Sequence, residues 1–178
     1  GIGQGYIQTT PIQLCLMTAQ IANGGFKIIP QIVVDNEIKD QTNDKYAQLY
    51  KNSNNIKIIQ DAMFASTNEI RGTSYRSRID DKKYQFAGKT GTAQVKRITK
   101  RDRELDLETS EIPYEERDHA LYIAFGPYKS PRYAVSILVE HGGSGSSVAA
   151  PLAKKLFKKI IDRHEIRKNF ETKKYLDI

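Results

Sequence analysis

The sequence has no tryptophan, one cysteine, two methionines and three histidines among its 178 residues. A single thiol, Cys15, excludes an internal disulfide. Flanked by Leu14, Leu16 and Met17, it reads as a small buried apolar side chain. The histidines are scattered at 119, 141 and 164 without metal-ligand spacing, so neither a metal nor a cofactor is expected. No apolar run approaches the roughly 18 residues that span a membrane. The start carries no leader pattern, since Gly1 opens directly into a Gly-rich stretch, and it reads as the interior of something larger.

What is present suits a globular domain. Hydrophobic residues make up 39% and charged residues 28%, and the length fits one domain with a sizeable core. The net charge of +7 is unevenly placed. Residues 154–174 hold nine Lys/Arg against three acids, which gives +6 in that stretch. Such a tail can meet nucleic acid or anionic lipid, but a solvated helix face is the favoured reading. Because no aromatic residues interleave with its lysines, nucleic acid is not expected as a partner.

Local signals divide the chain. Thr10-Pro11-Ile12-Gln13 has the form of a capping box with Pro at the first helical position. It predicts a helix with Ile12, Leu16, Ala19 and Asn23 on one stripe, stopped by Asn23-Gly24-Gly25. Phe26 to Val34 reads as extended chain interrupted by Pro30. Residues 35–55 form a polar insert, and a second helix is predicted from Ile56 to about Thr67 with Ile59, Ala62 and Met63 inward. Arg71 to Lys83 is a charged connector. Three strands follow, at Gln85–Val95, Ala120–Gly126 and Tyr133–Glu140, the last two joined as an antiparallel hairpin. Both hairpin strands are nearly apolar on each face, which predicts a sheet covered on both sides. Residues 96–118 are charged and segregated by sign, as in a mobile loop. After Gly142-Gly143-Ser144-Gly145-Ser146, a helix over 147–168 is predicted to lie across the sheet. Its inward face is Ala149, Leu152, Ala153, Leu156, Phe157, Ile160 and Ile161. A Ser at 146 or 147 is expected to cap it. The fold class is α+β, a mostly antiparallel sheet flanked by helices.

The chemistry is concentrated in Gly88-Lys89-Thr90-Gly91-Thr92-Ala93-Gln94. Small residues surround Lys89, so a ligand can approach the backbone, and Gly91 leaves the strand edge uncovered. Lys89 offers a fixed positive charge to a carboxylate, and Thr92 offers a hydroxyl and a backbone N–H. The Lys-Thr-Gly tripeptide alone fits a surface lysine on an edge strand equally well. Its surroundings decide. Gly3-Gln4-Gly5 followed by Thr10-Pro11-Ile12-Gln13, the Ala87–Val95 segment, Ala124-Phe125-Gly126-Pro127-Tyr128, Glu140-His141-Gly142-Gly143 and Ala150-Pro151 stand in one order. That series resembles the C-terminal part of the transpeptidase domain of class B penicillin-binding proteins, weakest at 35–55 and 96–118.

The resemblance implies a partial penicillin-binding, β-lactamase-like fold, a D,D-transpeptidase that cross-links peptidoglycan stem peptides through a serine ester, and acylation by β-lactams. It assigns catalytic roles to Lys89, Thr90, Gly91 and Thr92, with Lys89, Thr90 and Thr92 binding the substrate carboxylate and the Thr92 N–H forming half of an oxyanion hole. Gly3, Gln4 and Gly5 would support the site from behind. It also implies a parent protein on the outer face of the cytoplasmic membrane. None of the ten serines has Lys three residues on, so the Ser-x-x-Lys nucleophile is expected upstream and residues 1–178 alone are expected to be inactive. Ser53-Asn54-Asn55 and Ser66-Thr67-Asn68 fit Ser-x-Asn, but they follow the Gly-Gln-Gly turn that the family's second motif precedes, and are read as coincidental. The upstream half of the domain is the expected partner. Without its strands, one sheet edge stands unpaired, open to dimerisation or strand exchange, and marginal stability is expected. A non-catalytic peptide- or partner-binding module, or a piece of a β-lactamase or β-lactam sensor, which shares Lys-Thr-Gly, are the alternatives. The Gly-Gln-Gly turn with its helix argues against the last.

Overall fold

A computed structural model describes residues 7–32, 47–96, 104 and 107–176 of the chain, with side chains as far as residue 168. Gly3, Gln4, Gly5 and most of the polar insert lie outside the described residues, as do residues 97–103 of the charged loop.

The capping box forms as its residues require. The Thr10 N–H donates to Gln13 Oε1 at 2.8 Å, and the Gln13 N–H donates to the Thr10 hydroxyl at 3.3 Å. These bonds open α1 (Pro11–Ala22), which Asn23 caps before Gly24 and Gly25 turn the chain with φ near +90°. The predicted inward stripe is displaced. Ile12 is 64% exposed, whereas Thr18 is fully buried. Thr18 tolerates burial because its hydroxyl donates to the Leu14 carbonyl one turn back, at 2.7 Å. Beyond α1, Phe26 makes one isolated bridge to Gln48.

Helix α2 (Ser53–Asn68) starts three residues earlier than predicted, because the Asn52 side chain accepts from Asn54 N–H and caps it. Met63 is buried as expected, but Ile59 and Ala62 are exposed. The sheet lies under Met63 and Thr67, so the Ile59 side of the helix faces outward. The connector that follows holds a single 3₁₀ turn at Tyr75–Ser77 and buries Ser74, Ser77 and Ile79.

Three strands, β1 (Ala87–Ala93), β2 (His119–Gly126) and β3 (Tyr133–Val139), form an antiparallel sheet in that order. Lys89 stands opposite Ile123, and Thr90 opposite Tyr122. Side chains alternate along β2, so Ala120, Tyr122 and Ala124 enter one core while Ile123 and Phe125 enter the other. Burial on both faces matches β2's apolar sequence. The Phe125 side packs against Met63, Phe64, Ile21 and Ala22 of the first two helices.

The opposite face carries α3 (Ala150–Leu176), entered through a π-helical turn at Gly145–Ala149. Ser144 caps this turn, its hydroxyl accepting from Ser147 N–H, in place of the expected Ser146 or Ser147. Ala149, Ala150, Ala153, Phe157 and Ile161 are buried, and the Phe157 ring stacks on Phe86 with centroids 5.0 Å apart. Leu152 and Leu156, predicted inward, are 43% and 37% exposed. The helix lies so close to the sheet, over alanines, that the contacting stripe is narrower than the apolar residues it carries. At the far end of β1, the His141 N–H donates to His119 Nδ1 at 2.9 Å and the Gly143 N–H to the Asp118 carbonyl at 2.8 Å. These bonds tie the turn after β3 to the segment entering β2.

Replacing Thr10 by Ala removes the hydroxyl that accepts from the Gln13 N–H at an exposed position, and leaves the backbone bond to Gln13 Oε1 in place. It is expected to cost about 1 kcal/mol, read as a fall in Tm of about 2–4 °C by circular dichroism with no change in the spectrum.

Candidate active site on the Lys-Thr-Gly strand

Strand β1 is an edge strand, and helix α2 covers the first half of its outer edge. Asn68 Nδ2 donates to the Phe86 carbonyl at 2.9 Å, and the Thr67 hydroxyl donates to the Gly88 carbonyl at 3.4 Å. Farther along, Lys89 bends its ammonium back to the Thr90 carbonyl at 2.8 Å. Three successive even-numbered carbonyls therefore point away from β2. Backbone polar groups alternate along such a strand, so the Thr92 N–H and C=O turn toward the same outer edge.

The side chains at this edge form a chain of hydroxyls. Lys89 Nζ lies 3.2 Å from Thr90 Oγ1, Thr90 Oγ1 3.4 Å from Thr73 Oγ1, and Thr73 Oγ1 3.1 Å from Ser66 Oγ. Gly72 permits this approach, since a Cβ there would meet the Ser66 carbonyl at 2.3 Å. Beside Lys89 opens a recess of about 550 Å³ whose lining includes Ile59, Ala62, Met63, Ser66 and Thr73. The exposed flank of α2 is thus one wall of the space that Lys89 faces.

Beneath the strand, a buried hydroxyl cluster fixes its position. Tyr122 passes under Gly88, and its hydroxyl lies 2.9 Å from both Thr67 Oγ1 and Ser74 Oγ. Any side chain at position 88 would collide with it, because a Cβ would stand 2.4 Å from that oxygen. Burial pushes the Tyr122 phenol above its usual range, while the two hydroxyls pull weakly the other way. Farther along, Gly145 lets the turn before α3 lie against the backbone of β1 and β2. A Cβ on Gly145 would lie 2.7 Å from the Gly91 carbonyl oxygen and 2.5 Å from that of Leu121.

The structure therefore brings Lys89, Thr90, Gly91 and Thr92 together on one open strand edge. Of the two Ser-x-Asn segments, Ser53 and Asn54 sit at the start of α2, and Ser66 lines the recess. Asn68 is held by the carbonyls of Phe64 and Phe86. Sequence reasoning missed Thr73, Ser74 and Tyr122. The first two lie in a connector without periodicity, and the Tyr122 hydroxyl finds its partners 48 and 55 residues upstream. The two glycines, Gly72 and Gly88, were the available signal that backbones or side chains meet closely there.

The antiparallel sheet with helices on both faces and a lysine-threonine edge has clear counterparts among known proteins. The family model of the penicillin binding protein transpeptidase domain matches residues 1–158, so the chain belongs to that family. Within it, the chain is similar to the peptidoglycan D,D-transpeptidase MrdA of Haemophilus influenzae, 33% identical over 163 residues that make up 88% of this chain and 24% of that protein. Penicillin-binding protein 2 (PBP2) from Helicobacter pylori, solved with MreC, superposes with a TM-score of 0.71 at 31% identity, covering 90% of this chain and 26% of that one. Pseudomonas aeruginosa PBP2, solved with WCK 5153, gives 0.69 at 34% identity, covering 89% and 32%. The chain spans about a quarter of the length of the curated relatives it matches.

Substituting Tyr122 by Phe removes both of its hydroxyl contacts and leaves the Thr67 and Ser74 protons to the carbonyls of Met63 and Ser66. The expected cost is about 1–2 kcal/mol at neutral pH. The raised phenol pKa gives a sign. The advantage of the protonated tyrosine is complete below its unfolded value near 10 and is lost as pH rises toward the folded value. The Tm gap between wild type and Tyr122→Phe should therefore shrink above pH ~10; a constant gap would place the phenol elsewhere.

Proposed function

We propose that this chain is the Lys-Thr-Gly half of a peptidoglycan D,D-transpeptidase domain, enzymatic when joined to an upstream half that carries the serine. The observation that carries this reading is the outer edge of β1. Lys89, Thr90 and Thr92 stand in sequence along a strand edge that pairs with no other strand among the described residues, beside a recess and beyond the last residues of α2. Family membership and the names of the relatives point the same way.

In this reading the serine occupies the recess beside Lys89. Its oxygen attacks the carbonyl carbon of a stem-peptide amide, forming a serine ester, and the departing amine leaves with a proton. A second stem-peptide amine then attacks the ester and restores the serine. Lys89 holds positive charge next to the serine and the substrate carboxylate. The Thr90 hydroxyl continues the polar lining, and the Thr92 hydroxyl binds that carboxylate. The Thr92 N–H donates to the oxyanion that each attack creates, stabilising the transition state in the manner of a preorganised donor. Gly91 carries no side chain, so the peptide can lie against the strand. β-Lactams present a strained amide to the same serine. The parent works on the outer face of the cytoplasmic membrane, as its substrate requires. No helix among the described residues is long and apolar enough to cross a membrane. The upstream half adds strands to the outer edge of β3, which pairs with no strand among the described residues. Without it, a second copy of the chain can occupy that edge.

Intact-mass measurement after exposure to a reactive β-lactam tests the reading. Residues 1–178 alone should gain no mass. The chain joined to its Ser-x-x-Lys half should gain one β-lactam, and Thr92→Val should slow that acylation about 10–100-fold, the value of a hydrogen bond to a charged group. No adduct on the joined protein would sink the assignment. An adduct on residues 1–178 alone would move the nucleophile into this chain, with Ser66 the first candidate.

A further inference from the structure

Helix α3 carries most of the chain's excess positive charge, and its outward face is organised. At 100° per residue, Leu152, Lys155, Leu156, Lys159, Arg163 and Ile166 fall within one sector about 100° wide, opposite the buried Ala153, Phe157 and Ile161. Lys155, Lys159 and Arg163 are exposed and make no ion pair among the described residues. Nearby acids are turned aside. Asp162 accepts from the Tyr84 hydroxyl, and Lys83 bridges both Asp162 at 3.4 Å and Glu165 at 2.7 Å. The stripe is about 20 Å long, and its three unneutralised bases span about 12 Å of it, interleaved with partly exposed aliphatic side chains.

We propose that this stripe is a docking track for the carboxylate-bearing peptidoglycan polymer, separate from the strand edge that holds the reacting stem peptide. The proposal rests on the transpeptidase reading for its choice of polyanion. Charge complementarity requires an anionic partner. Continuity selects which one. The turn that starts α3 is pressed onto the Gly91 backbone through Gly145, and its Ser146 and Ser147 line a recess with Thr73, so the stripe begins within about two helical turns of the strand edge. A lipid surface fits less well. The helix's main apolar face is already buried against the sheet, and Leu152, Leu156 and Ile166 are separated by bases, leaving no continuous face to insert. Nucleic-acid bases would find no aromatic platform, since Phe157 is buried and the His164 ring packs on Tyr133.

Co-sedimentation of the 178-residue chain with purified insoluble peptidoglycan tests the track. Wild type should bind, and binding should fall with added salt. The variant Lys155→Glu, Lys159→Glu, Arg163→Glu should bind about tenfold more weakly, with its melting curve unchanged. A matched variant with the same charge change elsewhere, Lys51→Glu, Lys82→Glu, Lys129→Glu, should keep most of its binding. Amidating the carboxylates of the polymer should abolish the difference between wild type and the α3 variant. Several results would overturn the proposal: equal loss in both triple variants, no binding by wild type, tighter binding to anionic phospholipid vesicles than to peptidoglycan, or loss in Lys89→Ala with retention in the α3 variant. None of these measurements needs a serine nucleophile, so failure of the track and failure of the transpeptidase reading are separate outcomes.

Discussion

The position of the Lys-Thr-Gly strand depends on a hydroxyl that never reaches the surface. Tyr122 projects from the middle strand, slides beneath Gly88 and ends between Thr67 of α2 and Ser74 of the connector. Three chain segments are thereby joined at one oxygen inside a low-dielectric interior, where satisfied hydroxyl networks are specific and unsatisfied ones costly. The strand edge, the wall of the recess and the turn carrying Thr73 are all referred to that point. The aromatic stack of Phe86 and Phe157 supplies hydrophobic burial on the same face, but stacking is tolerant of small rotations. The hydroxyl cluster is not.

Some of this was legible in the sequence, because it is local. The capping box at Thr10–Gln13, the Asn23-Gly24-Gly25 stop and the antiparallel hairpin follow from neighbouring residues and stand as read. Helix faces were harder. Ile12 and Leu152 look like core residues by spacing, yet the sheet lies to one side of each helix and selects Thr18 in α1 and the alanines in α3. A threonine that bonds its own helix carbonyl is apolar to its surroundings, and an alanine stripe permits close approach. Neither property registers in a count of large apolar residues. The site divided in the same way. Lys89 to Thr92 are contiguous and could be named from the motif. Thr73, 17 residues before Thr90, and Ser74, 48 before Tyr122, enter by chain reversals that no periodicity announces.

The described residues also show how unevenly one sheet is finished. β2 is covered on both faces and paired on both edges. β1 has its outer edge half covered by α2, and Thr90 and Thr92 lie beyond the end of that helix. β3 has no strand on its outer side among the described residues. In the transpeptidase reading proposed above, the β1 edge receives the substrate and the β3 edge receives further strands of the fold. Side chains distinguish the two edges: glycine and threonine near the first, Val135, Ile137 and Leu138 on the second.

Gly88 bears on how the strands find their alignment. Sliding β1 by two residues would preserve which side chains face which core, so hydrophobic patterning alone cannot forbid it. Such a slide would bring Phe86 or Thr90 over the Tyr122 ring in place of hydrogen. Only the observed alignment sets the gap in β1 above the ring, and that alignment fixes where Thr92 stands along the edge. A missing side chain thus works as a notch that admits one key position, and the placement of Thr92 is inherited from it.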